Sequence, residues 1–190
     1  MVGLETLAIQ SEIKHPDGNS AIIPPDLIDS IIQKMTSMAL LKNDNHGGQI
    51  IDTKTFPDFD SLKIQEDKIR NLDLVPRRSD EVQADYELVS ANDFVRLVDD
   101  YYFANGTGMA LVRETHPTDL PADVDQHVVW FKDGTTKEEV AEFIGEFLIK
   151  QWLGIEDVIL FERSRKTKTP LVGAAIHKYR HIHIWTRKKL

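Results

Sequence analysis

The sequence predicts an α+β domain built on a largely antiparallel sheet with flanking helices. Two observations carry the prediction. Apolar residues recur at helical spacing in the first half, and from residue 109 onward the elements read strand, strand, helix, strand, strand. The chain has 190 residues, enough to bury a sizeable core without disulfides or metals.

Each element has its own signal. Pro24-Pro25 open a helix expected over 26–42, whose stripe is Leu27, Ile28, Ile31, Ile32, Met35, Met38 and Leu41. Lys42 to Gly48 is loop chemistry, and Gln49 to Pro76 is mixed, with Phe56-Pro57-Asp58-Phe59 read as a turn. A helix is expected around 79–88 and another at 91–103, with Ser90 as N-cap and Phe94, Leu97, Val98 and Tyr101 on one face. Met109–Arg113 reads as a short strand and His127–Lys132 as a β-rich run. Thr136 and Glu139 form a capping box opening a helix to about Trp152, with Val140, Phe143, Ile144, Phe147 and Leu148 as its core stripe. Val158–Phe161 and Tyr179–Arg187 complete the strands. The expected division is a helical N-terminal appendage over 1–75 and an α+β domain over 76–190.

Bulk properties exclude several classes of function. There is no cysteine, which removes disulfides, thiolate catalysis and Cys-based zinc sites. No stretch is long and apolar enough for a transmembrane helix, and no secretory signal opens the chain, so a soluble cytoplasmic protein is expected. The net charge of −8 argues against non-specific nucleic-acid binding, and nothing implies a membrane partner. No cofactor is implied, because Walker, dinucleotide-fingerprint and nucleophile-elbow patterns are all missing.

The last strand holds the best functional clue. In Arg180-His181-Ile182-His183-Ile184-Trp185 the side chains alternate, so His181, His183 and Trp185 share one face. Two imidazoles about 7 Å apart along a strand can hold a phosphate, bind a metal, or divide nucleophile and acid/base roles. The segment Arg163–Leu190 carries nine Lys/Arg and no Asp or Glu, whereas the chain as a whole has 23 Lys/Arg against 31 Asp/Glu. That asymmetry points to a local anion site. The plain alternatives are a half-solvated sheet face and a charged edge that discourages aggregation. His127, at the start of another strand, would join the pair if the strands are neighbours. Lys166 and Lys168, in the Ser164–Pro170 loop, and Arg180 are the candidate phosphate contacts, and Trp185 is the candidate for stacking a base or sugar. His116 and His177 lie in loops near the same elements. No carboxylate stands at a recognisable metal spacing and no His-Glu-x-x-His occurs, so no metal is assigned.

Two resemblances add to this reading. Pro121 to Lys132, ending His127-Val128-Val129-Trp130-Phe131-Lys132, resembles a segment of a fungal family of uncharacterised proteins that includes the N-acetylglucosamine-induced proteins. The helix near Thr136, the run Glu156–Glu162 and His181-Ile182-His183-Ile184 follow in that family's order. The likeness covers roughly 90–190, and the first 75 residues match nothing. The layout is also similar, more distantly, to the histidine-triad superfamily, whose members bind nucleotides and whose middle His attacks phosphorus. Carried over, that implies His183 as the middle residue and His181 as the first. The third position is Trp185 rather than His, and the Asn and Gly usual in the preceding strand are not evident in Val158–Arg163. A shared layout licenses no function by itself.

Two functions are therefore expected as alternatives. One is a protein for a phosphorylated sugar or nucleotide, with phosphoester hydrolysis or transfer on His183, His181 and His127 as its chemistry. The other is a non-catalytic regulatory or binding protein in the amino-sugar response, with a structural His pair and a protein partner that the sequence does not identify.

Overall fold

Pro25 fits the first turn of α1 (Pro25–Leu40), where a missing N–H costs nothing. In the computed structural model, which describes residues 23–40, 48–71, 73–88, 96–103, 106, 108–162 and 179–189, this helix is the first element. It is followed by β1 (Gln49–Ile50), α2 (Phe59–Lys63), α3 (Glu66–Arg70), β2 (Leu74–Val75) and α4 (Asp80–Leu88). A one-turn π-helix, Val98–Tyr102, precedes β3 (Met109–Arg113) and β4 (Val124–Phe131). Then come α5 (Lys137–Lys150), a 3₁₀ turn (Ile155–Asp157), β5 (Val158–Phe161) and β6 (Arg180–Arg187).

The α+β expectation holds. Four strands form one antiparallel sheet in the order β3-β4-β6-β5, so the last strand lies between β4 and β5. β1 and β2 form a separate two-stranded parallel pair. No helix among the described residues is long and apolar enough to cross a membrane.

Both faces of the sheet are covered. On the first, α1 contributes Leu27, Ile31, Met35 and Met38, and α5 contributes Val140, Ala141, Ile144 and Leu148. They pack on Val129, Phe131, Val158, Leu160, Ile182 and Ile184. The capping box is present as read: Thr136 Oγ1 accepts from the Glu139 N–H at 3.2 Å, and Glu139 Oε2 accepts from the Thr136 N–H at 2.7 Å. Such a cap contributes about 1 kcal/mol. Gly145 lets the two helices approach, because a Cβ there would stand 3.0 Å from side-chain carbons of Ile23 and Ile28.

The second face carries two apolar patches. Phe59 and Leu62 of α2 and Ile69 of α3 pack on Ile159, Phe161 and Trp185. Val98 and Phe103, at the two ends of the π-helix, pack with Val128, Trp130 and Tyr179.

The expected boundary at 75/76 does not separate two cores. Residues from α1, α2 and α3 are buried against the same sheet as the C-terminal elements. Polar ties reinforce this. Arg187 at the end of β6 pairs with Asp60 at 2.6 Å and with Asp157 at 3.0 Å, its guanidinium 4.8 Å above the Phe59 ring. Glu66 receives Lys34 of α1 at 2.6 Å and Lys63 of α2 at 2.9 Å. The described part of the N-terminal segment is thus integral to the domain.

Candidate functional site

The pleat assigns every candidate on β4 and β6 to a face. Directly paired residues on neighbouring strands point the same way. His183 pairs with Val128 on one side and Phe161 on the other, and His181 pairs with Trp130. Both imidazoles therefore stand on the second face, as alternation along the strand required. His127 pairs with Ile184, which belongs to the helix-covered core.

His127 and the His181/His183 pair thus lie on opposite faces, and the common cleft expected for them does not exist. His127 packs against Phe147 of α5, ring centroids 5.0 Å apart. Its Nδ1 is buried without a hydrogen-bond partner among the described residues, and burial pushes its pKa below the ordinary histidine value. Arg180 is also on the helix side. It pairs with Phe131, holds its guanidinium 5.1 Å from that ring, and lies 3.9 Å from Glu162. It is not placed to share a phosphate with His181 and His183. Trp185 does share their face but is only 2% exposed, edge-on to Phe161 at 4.6 Å, so it is core rather than a stacking platform. Lys166, Lys168 and the whole Ser164–Pro170 loop, with His177, lie outside the described residues.

The histidine pair sits at the seam between the two apolar patches. His183 stacks on Phe161 of the first patch, centroids 5.0 Å apart and planes 13° from parallel. His181 stacks on Trp130 of the second, at 4.4 Å and 28°. The two imidazoles meet edge to face at 5.2 Å. His183 is 8% exposed, whereas His181 is half-buried.

Other polar groups converge there, and sequence reasoning missed them. Glu114, the residue after β3, brings its Oε2 to 3.6 Å from His183 Nδ1. That distance is an ion-pair approach just beyond a hydrogen bond. Its other oxygen accepts from the His116 backbone N–H at 3.3 Å. Tyr102, from the π-helix, is half-buried, and burial together with the Glu114 charge pushes its phenol up to about 12. Tyr179 donates a short hydrogen bond to Asp99, also from the π-helix, and packs edge-on to Phe103. Single π-turns often occur where a helix must re-aim side chains at a site. Here Asp99 and Tyr102 both come from that turn.

Glu114 is held from outside the sheet. Gln126 fixes the loop after it through Thr118, with bonds of 2.7, 2.8 and 3.0 Å. The His116 carbonyl accepts from Arg78 Nε at 2.8 Å, and Arg78 lies 4.2 Å over the Tyr86 ring. The His116 ring meets Tyr86 at 5.4 Å, and burial lowers its pKa. His116 therefore contributes backbone support to Glu114, with its ring turned to Tyr86.

The arrangement brings two imidazoles and a carboxylate together on one face of the sheet. Among the described residues, no group of three or more His, Asp or Glu is placed to hold a metal ion. No family model and no curated protein matches the chain. Among solved structures it is similar to the crystal structure of HTC1, with 12% identity and a TM-score of 0.41 over 70% of this chain and 85% of that one.

Proposed function

We propose that the second sheet face is a small-ligand site for a phosphorylated sugar or nucleotide, with His183 as nucleophile or acid/base and His181 beside it. The observation that carries this reading is the meeting of two imidazoles with Glu114 at the seam of the face, with Tyr102 near Glu114 and the Tyr179–Asp99 pair in the adjoining patch. Buried polar side chains cost stability unless paired, and groups able to move protons gather where chemistry uses them. The preference for a phosphate-bearing ligand comes from the acid-free basic run Arg163 to Leu190 in the sequence, of which Arg180 lies on the other face and Arg187 is paired with Asp60 and Asp157. Phosphoester hydrolysis or transfer is the reaction that suits such a pair. We place the protein in the cytoplasm, without nucleic-acid or membrane partners.

A second reading has its own support. His183 is nearly buried and stacked flat on Phe161, as a packing residue would be. In that case the protein is a non-catalytic binding or regulatory component, and the resemblance to the N-acetylglucosamine-induced family suggests the amino-sugar response as its setting. Calorimetry with N-acetylglucosamine against its 6-phosphate, and adenosine against adenosine monophosphate, tests the first reading. The phosphorylated member of at least one pair should bind at least tenfold more tightly. Equal or absent binding in both pairs would remove the anion-site proposal and leave the second reading standing.

A further inference from the structure

We infer that the outer edge of β3 pairs with the same edge of a second copy of this chain, antiparallel and about a two-fold axis at Val112, so that two four-stranded sheets join as one.

The sheet has two edges, and they are treated differently. β5 forms one edge, and its Val158, Ile159, Leu160 and Phe161 are each 0% exposed. α1 and α3 pack beside it, and Lys63 Nζ donates to the Val158 carbonyl. Cover and a lysine are the usual means of closing a strand edge. β3 forms the other edge. There Met109, Ala110, Leu111 and Val112 are only half-buried and Arg113 is exposed.

The ladder shows which groups of β3 point outward. The Gln126 carbonyl accepts the Glu114 N–H at 2.8 Å, and the Gly108 carbonyl accepts the Lys132 N–H at 3.0 Å. Both pairs continue the β3–β4 register, so the even-numbered residues turn their backbone groups toward β4. Leu111 and Arg113 turn theirs away. Among the described residues, nothing pairs with the backbone N–H and C=O groups of these two. Open donors and acceptors at a two-residue spacing are what another antiparallel strand satisfies.

A second copy fits this edge. A two-fold axis at Val112 sets Leu111 of each copy against Arg113 of the other, two residue pairs with two hydrogen bonds each. The pairing needs nothing from Met109. It brings the two Val112 side chains together at the close, non-hydrogen-bonded position, where a β-branched pair packs well. The half-buried Leu111, beside the helix-covered core, and Ala110 and Val112, beside the opposite patch, all lose more exposure. Charge does not oppose the contact. Arg113 is the one charged residue of β3, and Asp125 of its own chain pairs with it at 3.1 Å. Two such edges meet without net repulsion, although the chain as a whole carries −8. With β5 closed, each copy offers one edge, and the assembly ends at two copies instead of growing into a fibre.

The chain has no cysteine, so a single introduced thiol reports the axis. Val112→Cys should form an intermolecular disulfide under mild oxidation, because such partners stand about 4.5 Å apart at Cα, within disulfide reach. Ala110→Cys, on the same face, would lie about 13 Å from its copy by strand rise. It should cross-link at least about tenfold more slowly, since it lacks that proximity. Sedimentation of the wild-type chain at rising concentration should show monomer passing to dimer and nothing larger. Leu111→Pro and Arg113→Pro each remove one outward N–H and leave the β3–β4 ladder intact. Either should stay monomeric where the wild type is dimeric. A wild type that is monomeric throughout, equal cross-linking of the two thiols, or dimers undiminished in a folded proline variant would overturn the pairing. If neither proline variant folds, the two cysteine variants decide.

Discussion

His127 should make the protein sensitive to mild acid, and replacing it should remove that sensitivity. Its ring lies between β4 and Phe147 of α5, with Nδ1 buried and lacking a partner among the described residues. Burial lowers its pKa from 6.5, with Asp125 opposing and Arg113 adding to the shift. The sign follows directly. The unfolded chain takes up the proton as pH falls through 6.5, whereas the folded chain resists it, so the unfolded state binds more protons and stability falls with pH. The loss approaches about 1.4 kcal/mol per pH unit and ends once pH drops below the depressed folded value. His127→Leu removes the titration and the unsatisfied nitrogen, whose burial costs about 1–3 kcal/mol. The variant should be more stable by about 1 kcal/mol at pH 7.5, with the margin widening below 6.5. Urea unfolding of both proteins from pH 7.5 to 4.5 measures this, and the difference cancels other titrating groups such as His116. A margin constant across that range would refute the reasoning.

Two more outcomes are expected. His183→Asn should abolish turnover or at least weaken phosphorylated-ligand binding tenfold, with a far-ultraviolet spectrum unchanged. An unaltered rate and affinity would leave the ring a packing residue, and loss of general acid/base action alone should cost about 10²–10⁴ in rate. Trp152 follows the α5 C-cap with φ 57° and is 82% exposed, so its left-handed backbone costs stability that no burial returns. Trp152→Gly should add about 1 kcal/mol and raise the melting temperature by roughly 2–4 °C for a chain of this size; an unchanged or lower value would mean that the indole makes a stabilising contact.

The elements with strong local signals were legible in the sequence. α1 and α5 have apolar stripes at three- and four-residue spacing, and the Thr136–Glu139 box marks the start of α5. β3 and β5 run over the residues expected, and β4 starts three residues earlier than its apolar run suggested. Of the helix expected over 91–103, residues 96–97 are α-helical and run into a π-turn at Val98–Tyr102, while the expected N-cap Ser90 and residues 91–95 lie outside the described chain. α2 and α3, five residues each, are too short to show a period, and their burial depends on a sheet far along the chain. Two-residue β1 and β2 have no alternation to read.

The candidate site divides along the same line, between what one strand can say and what needs two. Alternation along β6 is local, so His181 and His183 fall together. Which face of β4 meets that pair is a register, and a shift by one residue would have brought His127 beside them and sent Val128 away. The sequence held no information on that shift, so adjacency of the two strands was not enough to join three histidines. Glu114 was hidden for the same reason. Its parity with Val112 was readable, but its value as a partner for His183 depends on β4 standing between β3 and β6. Charged partners of a strand histidine are therefore better sought diagonally across a shared neighbour than among residues of one type. Under that rule the residue to weigh beside the histidine pair is a carboxylate at a strand end, here Glu114, ahead of another imidazole.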